Sequence, residues 1–263
     1  MERAAGSDNR SEYIYGLHAV REALRSGSRP LLRLLVRRED RQYADLIRAA
    51  RGANIPIHVE PQAALDRLVP GGRHQGVVAL IAAKQYVSTE DILRCAQERG
   101  EPPFLVILDG VEDPQNLGAV CRSAEAAGAH GLFIQQRHSA GLTSAVSRAS
   151  AGALEHLRVS SVVNLSRLIE SLKEQDVWVY GLDMSASKPH TALDLKGPVA
   201  LVFGGEGKGI RPGVLEKCDD RARIPMHGEV ESLNVSAAAA VVLFEAVRQR
   251  TGSAAAGQNP NGP

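Results

Sequence analysis

Ser232 and Asn234 precede an alanine-rich stretch that predicts a helix over residues 235–248. Their hydroxyl and amide groups would lie beside the backbone N–H groups that a helix leaves without partners at its N-terminus. Anions and polar ligands bind readily at such a place. Serine and asparagine are also common helix caps, so this segment alone is compatible either with a binding site or with simple capping.

A second polar segment follows an apolar stretch that leads to Asp109. A turn containing Pro114 comes next, and a helix is predicted to begin near Asn116, a residue type that is favoured at the N-cap. Arg122 follows in the second turn of that helix. The asparagine and the arginine could belong to a site, or they could be a cap and a surface residue.

Residues 204–209 form a glycine-rich segment directly after another apolar stretch. Glycines let a ligand approach the backbone closely, and Glu206 at the centre of the segment could accept a hydrogen bond or a proton. The glycine spacing matches neither the phosphate-binding P-loop nor the dinucleotide fingerprint. A metabolic dehydrogenase is therefore disfavoured.

The elements that must position these segments alternate from Phe104 onward between apolar strands and helix patterns. This alternation predicts an α/β fold with a mostly parallel sheet that is covered on both faces. Ligands bind beyond the carboxyl ends of such strands, where Asp109 and Gly204 fall. The predicted strands are 104–108, 131–134, 157–159, 177–182 and 199–203, and the predicted helices are 117–127, 144–153, 165–173 and 235–248.

The N-terminal part predicts a separate, small α/β unit. Its expected helices cover 17–24, 43–50 and 63–68, and its expected strands cover 31–36, 55–59 and 76–82. A linker with one short helix over residues 90–97 would follow, ended by Gly100 and two prolines. The predicted organisation is a disordered N-terminus at 1–11, domains at 12–83 and 104–251 joined by the linker 84–103, and a disordered tail at 252–263.

Composition narrows the class of protein. The chain has 263 residues of which 44% are hydrophobic, and no apolar run approaches the roughly 18 residues of a membrane span. We therefore expect no membrane partner and no signal segment. The three cysteines are scattered and the histidines lack a ligand spacing, so we expect no metal site and a reducing, cytoplasmic setting.

The near-neutral net charge of +1 conceals an asymmetry between the two parts of the chain. Residues 1–85 hold 14 Lys/Arg against 9 Asp/Glu, whereas residues 86–263 hold 17 against 21. A basic N-terminal part suggests a polyanion such as nucleic acid, although a solvated surface is the plainer explanation. The candidate RNA contacts are the loop residues Arg73, His74 and Gln75, with Arg33, Arg37, Arg38 and Arg41 on phosphates.

Taken together, the three polar segments resemble, in their order and spacing, the three motifs of the SpoU (TrmH) family of RNA ribose 2′-O-methyltransferases. The matching residues are Asn116, Gly118 and Arg122, then Gly204, Glu206 and Gly207, then Ile224 to Met226, Gly228 and Ser232 to Ser236. The segments 15–20 and 73–79 are similar to the accessory domain of the subgroup that methylates a guanosine ribose in 23S rRNA.

The resemblance implies an S-adenosylmethionine domain with a deep trefoil knot, an N-terminal RNA-binding domain, and a homodimer with the active site near its interface. The motif positions imply that the cofactor contacts Gly204, Ile224, Met226 and Leu233. The implied catalytic residues are Asn116, Arg122, Glu206, Ser232 and Asn234. The implied reaction is methylation of the ribose 2′-hydroxyl of a guanosine in 23S rRNA.

The family role of Arg122 as a general base conflicts with the strong basicity of its side chain, which stays a guanidinium and has no lone pair to accept a proton. Holding the adjacent phosphate and stabilising the forming alkoxide suit it better, which leaves Glu206, Ser232 or water to receive the proton. Two alternatives also stay open. The substrate could be a tRNA ribose or an rRNA adenosine, or the protein could be a non-catalytic RNA-binding factor for ribosome assembly.

Overall fold

The computed structural model describes residues 11–256 and divides into two compact units. The first comprises residues 11–85 together with 142–156, and the second comprises the remaining described residues. The expected disordered ends at 1–11 and 252–263 lie mostly outside the described residues. Ser11 already begins a strand, and residues 252–256 continue the last helix.

Ten strands and nine α-helices lie within residues 11–256. The strands are β1 Ser11–Tyr15, β2 Leu31–Val36, β3 Ile57–Val59, β4 Val77–Ala82, β5 Phe104–Asp109, β6 Gly131–Gln135, β7 Val159–Val162, β8 Trp178–Leu182, β9 Val199–Gly204 and β10 Asp220–Ala222. The helices are α1 Leu17–Ser26, α2 Ala44–Gly52, α3 Gln62–Leu68, α4 Thr89–Arg99, α5 Pro114–Ala126, α6 Ser144–Ala149, α7 Leu165–Lys173, α8 Pro212–Leu215 and α9 Val235–Ala256.

The first unit is built on a four-stranded sheet in the order β1-β4-β2-β3, in which only the β2–β3 pair is parallel. Alternate residues of β4 pack on opposite faces, as the pleat of a strand requires. Val77, Ala79 and Ile81 join one apolar cluster that includes residues of α1 and α2, whereas Val78 joins a second cluster that includes Leu65 of α3. The sheet is thus covered on both faces.

Residues 142–156 belong to the first unit by their contacts, although the sequence assigned them to the second domain. Glu155 forms a buried ion pair with Arg29, and the guanidinium of Arg148 lies 4.7 Å from the ring centroid of Tyr15. These partners lie more than a hundred positions away in the chain, so periodicity in the sequence could not indicate them.

The second unit has a six-stranded, wholly parallel sheet in the order β10-β8-β9-β5-β6-β7. One of its apolar clusters joins strand residues such as Ile107 and Phe133 to Leu168 of α7 and Ile92 of α4. The helix expected within the linker is therefore packed into the core of this unit. Its first turn carries the capping box that Ser88 and Asp91 form.

The predicted α/β class with a mostly parallel sheet is confirmed, and the differences lie at the ends of elements and in three short elements. Helix α5 begins at Pro114, and its N-cap is Asp113 rather than Asn116, because the Asp113 carboxylate accepts hydrogen bonds from the N–H groups of Gln115 and Asn116. Strand β7 begins two residues later than predicted. The short elements β1, β10 and α8 were not predicted.

No helix within residues 11–256 is long and apolar enough to cross a membrane.

Candidate active site

The carboxyl ends of β5 and β9 bring two of the three polar segments together. These strands are paired in parallel, with Asp109 directly opposite Gly204 in the register. The N–H of Gly205 then donates to the carbonyl of Asp109 at 2.7 Å. The loop after β9 and the loop after β5 consequently leave the sheet side by side.

Two glycines make this close approach possible. A Cβ atom on Gly204 would lie 2.0 Å from the carbonyl carbon of Gly209, and one on Gly205 would lie 2.0 Å from the carbonyl oxygen of Gly110. Both neighbours are backbone atoms, which cannot rotate aside. The glycines are therefore required by the packing of the loops, and they also leave backbone groups accessible at the strand end.

Three predicted site residues form one hydrogen-bonded cluster, which we call the amide–carboxylate cluster: Asn116, Glu206 and Asn234. The Asn116 side chain donates through Nδ2 to Glu206 Oε1 at 2.8 Å, and Asn234 Nδ2 donates to the same oxygen at 2.6 Å. Asn234 Nδ2 also lies 3.0 Å from Asn116 Oδ1. The two amides thus hold one oxygen of the carboxylate, and no described contact uses Oε2.

Asn234 also caps α9, so the capping interpretation of this residue is confirmed, while its role in a site stays a prediction. Its Oδ1 accepts hydrogen bonds from the backbone N–H of Ser236 at 2.9 Å and from the hydroxyl of the same residue. Capping fixes the carbonyl side of the amide, which turns the Nδ2 group toward Glu206. Ser232 lies two residues earlier, is exposed, and makes no described hydrogen bond.

A cleft of about 510 Å³ lies on one side of the cluster, and we call it the glycine-turn cleft. All four predicted cofactor residues line it, namely Gly204, Ile224, Met226 and Leu233, and so does Ser232. Ile224, Met226 and Leu233 provide apolar walls, while the Gly204 turn exposes backbone where any side chain would clash. This combination fits a ligand such as S-adenosylmethionine, which has apolar and hydrogen-bonding parts.

A second cleft, of about 580 Å³, lies at the ends of β5 and β6, and we call it the strand-end cleft. Its walls include Asn116 and Glu206, so both clefts border the amide–carboxylate cluster. Asp109 is buried beneath it and accepts hydrogen bonds from the backbone N–H and from Nε of Arg211, both at 2.8 Å. Arg211 Nη2 also donates to Gln135 Oε1 at 2.7 Å.

Sequence reasoning missed Arg211 and Gln135 as residues of the site. Asp109 was recognised as a strand end, but its partner lies 102 positions later in the chain. The available signal was indirect, since a carboxylate buried in a sheet requires a cation or several N–H groups to compensate it.

Arg122 is exposed on α5 and lines neither cleft. It lies six residues beyond Asn116, which corresponds to a rise of about 9 Å along the helix. Within the described part of the chain, no hydrogen bond or ion pair joins it to the amide–carboxylate cluster. Its predicted catalytic role stays a prediction.

The predicted RNA contacts occupy different environments in the first unit. Arg33, Arg37, Arg41 and Arg73 are exposed and have no ion-pair partner within residues 11–256, whereas Arg38 pairs with Asp40. These side chains are accessible to phosphates, although the pairing of Arg38 reduces the charge that it offers.

The other two loop residues have structural contacts. His74 is buried, contacts Asp66 through Nε2 at 2.9 Å, and accepts from the N–H of Gly76 through Nδ1. Gln75 adopts a left-handed backbone, with φ of 53°, and its Oε1 accepts from the first N–H of α1 at 3.1 Å. In this structure His74 therefore shapes the loop instead of facing solvent.

Within residues 11–256, no group of three or more His, Cys, Asp and Glu side chains is arranged to hold a metal ion.

Comparison with known proteins shows which family the chain resembles. The model of the SpoU rRNA Methylase family matches residues 103–244, and the model for RNA 2′-O ribose methyltransferase substrate binding matches residues 13–87. The 23S rRNA (guanosine-2′-O-)-methyltransferase RlmB of Xylella fastidiosa is 44% identical over 246 residues, covering 93% of this chain and 99% of the relative. The protein of that name from Shewanella oneidensis is 41% identical over 243 residues, covering 92% and 98%.

Solved structures agree with these matches. The crystal structure of the SpoU methyltransferase AviRb from Streptomyces viridochromogenes in complex with AdoMet matches with a TM-score of 0.78 and 25% identity, over 94% of this chain and 95% of that one. The chain therefore belongs to the SpoU rRNA methylase family.

Proposed function

We propose that the protein transfers a methyl group from S-adenosylmethionine to the ribose 2′-hydroxyl of a guanosine in 23S rRNA. The observation that carries the proposal is the amide–carboxylate cluster between two clefts, because methyl transfer needs one cleft for the donor and one for the acceptor. Guanosine and 23S rRNA are chosen because the relatives from Xylella fastidiosa and Shewanella oneidensis are named 23S rRNA (guanosine-2′-O-)-methyltransferases.

The glycine-turn cleft would hold the cofactor. The family member AviRb was crystallised in complex with AdoMet. The apolar walls and exposed backbone of this cleft could bind the same molecule. When bound, the cofactor supplies an activated methyl group on a sulfonium. What remains for the protein is to align the acceptor oxygen and to assist the loss of its proton, and alignment alone can contribute several kcal/mol.

Glu206 is suited to orient the 2′-hydroxyl. Both asparagine amides donate to Oε1, so Oε2 remains available to accept the hydroxyl hydrogen. A hydroxyl that donates to a carboxylate directs a lone pair away from it, toward the methyl group. The proton can leave to Glu206, or to Ser232 or water, as the methyl group arrives.

Arg122 would act on the RNA backbone near the reacting ribose. A guanidinium stays protonated at neutral pH and can bind a phosphate through two parallel hydrogen bonds. Arg122 is exposed, so its side chain can contact another molecule. We propose that the surface around Arg122 is part of the homodimer interface, which would place this side chain beside the active site of the partner copy.

The interface proposal is supported by an apolar stripe on α9. Val241 and Phe244 are 40% and 50% exposed, and with Ala237 they follow the helical spacing of one face. Helix α5, which carries Arg122, packs against α9. Covering the stripe with a second copy would remove apolar surface from water and bring Arg122 to the edge of the contact.

Three further features are part of the proposal. Family membership supports a trefoil knot in residues 104–251. Its substrate-binding model at residues 13–87 supports an RNA-binding role for the predicted domain 12–83, with its exposed arginines. A ribosomal RNA substrate supports action in the cytoplasm, where bacterial ribosomes are assembled.

The decisive experiment incubates the protein with labelled S-adenosylmethionine and total rRNA or tRNA, and then maps the labelled nucleotide. The expected result is a single 2′-O-methylguanosine in 23S rRNA. A label in tRNA or on an adenosine would support the other substrates. If no RNA is labelled and calorimetry detects no binding of S-adenosylmethionine, the non-catalytic RNA-binding role is supported instead.

A further inference from the structure

We propose that the strand-end cleft recognises the base of the target nucleotide as guanine, with Glu112 and Arg211 as the residues that determine specificity. The inference rests on the proposed function, which it deepens by naming the cleft and the side chains that would recognise the guanine base. It concerns a cleft that none of the predicted cofactor residues lines.

The position of the cleft follows from the geometry of methyl transfer. The attacking oxygen must approach the methyl carbon from the side opposite the sulfur, so the acceptor nucleoside and the cofactor lie on opposite sides of the reacting atoms. The two clefts share Gly205, Glu206, Gly209 and Val235, and Glu206 belongs to the amide–carboxylate cluster. If the cofactor fills the glycine-turn cleft, the strand-end cleft is where the nucleoside fits, and its 580 Å³ is ample for one.

Arg211 is held rigidly at the wall of this cleft. Its Nε and Nη2 contact the buried carboxylate of Asp109, and Nη2 also donates to Gln135 Oε1. No described contact uses Nη1, and the side chain is 46% exposed. A fixed guanidinium with an available N–H group matches the O6 acceptor of guanine, and arginine is the side chain most often used to read guanine.

Glu112 offers the complementary acceptor. Its side chain is 69% exposed, and the imidazole Nδ1 of His138 is 3.8 Å from its carboxylate, beyond hydrogen-bonding distance. The neighbouring Asp113 carboxylate is already used to cap α5. Glu112 is therefore the carboxylate in the cleft that can accept both N1–H and N2–H of guanine.

The charge of the cleft argues against a phosphate as its occupant. Its lining includes four carboxylates, Asp109, Glu112, Asp113 and Glu206, against the two cations Lys208 and Arg211. A neutral base that donates two hydrogen bonds avoids this repulsion. Adenine would instead present its N1 lone pair to the carboxylate, which disfavours it.

The test uses a 23S rRNA fragment that the protein methylates, with guanosine, inosine or adenosine at the target position. Inosine keeps O6 and N1–H but lacks the N2 amino group. Glu112→Gln removes the charge and one acceptor, so we expect kcat/KM for the guanosine fragment to fall about ten- to a hundredfold. The inosine fragment should lose much less, and S-adenosylmethionine affinity, measured by calorimetry, should not change.

Glu174→Gln is the matched control, because Glu174 is exposed just beyond the last residue of α7 and lines neither cleft. It should leave all three rates and their ratios as in the wild type. Unchanged guanosine-to-inosine and guanosine-to-adenosine ratios in Glu112→Gln would overturn the inference while leaving the proposed function intact. A wild-type protein that methylates none of the fragments or natural RNAs would instead overturn the proposed function itself.

Discussion

Asn116 donates a hydrogen bond to Glu206 at 2.8 Å, although the two residues lie 90 positions apart in the chain. The contact exists because β5 and β9 are paired so that Asp109 and Gly204 are opposite each other. Asn234 reaches the same carboxylate oxygen from the start of α9. One carboxylate thus joins three segments that the sequence separates, and its second oxygen remains available to a substrate.

The first prediction concerns the charge of Glu206. Glu206→Gln can still accept both asparagine amides through its carbonyl oxygen, but its other terminal group becomes an N–H donor. A 2′-hydroxyl would then accept a hydrogen bond where it must donate one. We expect kcat to fall about 10²- to 10⁴-fold with little change in cofactor affinity. Rates under saturating cofactor test this, with Glu98→Gln on α4 as the control, and near-normal turnover would exclude the proposed role.

The second prediction concerns Arg122. Arg122→Ala should bind S-adenosylmethionine normally, because the residue lines neither cleft, yet transfer should fall about 10²- to 10³-fold. Arg122→Lys should also lose methyl transfer, since an ammonium group cannot form the bidentate hydrogen bonds of a guanidinium with phosphate. Calorimetry and single-turnover rates separate the two effects. Arg167→Ala, an exposed arginine on α7, is the control, and equal activity in both alanine variants would remove Arg122 from the mechanism.

The third prediction concerns the proposed dimer. Phe244→Asp places a charge in the apolar stripe of α9, which costs little in a monomer because the side chain is half exposed. If a second copy covers the stripe, the variant should sediment as a monomer and lose methyl transfer. Trp178→Asp, on β8, changes an aromatic side chain of similar exposure and should leave the oligomeric state unaltered. A wild-type monomer would contradict the proposal directly.

The sequence predicted the strands well where apolar runs were long, because a strand whose two faces are both buried consists of consecutive apolar residues. Helix α7 was predicted to the residue, since four apolar side chains recur at helical spacing behind the Asn164 cap. Short elements such as β10, at three residues, carry too little pattern to detect. Site roles for Asn116, Glu206 and Asn234 were predicted from the motif resemblance. Arg211 was not predicted, because its contact with Asp109 forms only when the sheet is folded.

The fourth prediction concerns Gly204. In Gly204→Ala the new methyl group would meet backbone atoms of Gly209 and Ile210 at 2.0 to 2.4 Å, and those atoms can move only if the turn opens. We expect a loss of more than about 3 kcal/mol in the free energy of unfolding, or a displaced turn that no longer binds the cofactor. Gly197→Ala is the control, because nothing lies within 4 Å of its added Cβ, and it should change stability by less than about 0.5 kcal/mol. Chemical denaturation and calorimetric titration measure both effects, and a stable Gly204→Ala protein with normal affinity would refute the packing argument.

The last prediction concerns the buried ion pair of the first unit. Arg29 and Glu155 have side chains that are 4% and 3% exposed, and Glu12 provides a second carboxylate. Burial by itself would lower the pKa of Arg29, but the hydrogen bonds and charges of Glu155 and Glu12 outweigh it, so its pKa is raised. The guanidinium therefore depends on these partners for its stability within the unit.

Glu155→Gln removes a charge from this pair and should destabilise the unit by about 3 kcal/mol, because a buried cation that loses its partner is strongly unfavourable. Glu170→Gln is the matched control, since Glu170 forms an ion pair with Lys217 at the surface, where solvent screens the charges. Hydrogen exchange of β4 amides reports the stability of the first unit separately from that of the second. Faster exchange in Glu155→Gln alone is expected, and equal exchange in the two variants would mean that Glu12 suffices to balance Arg29.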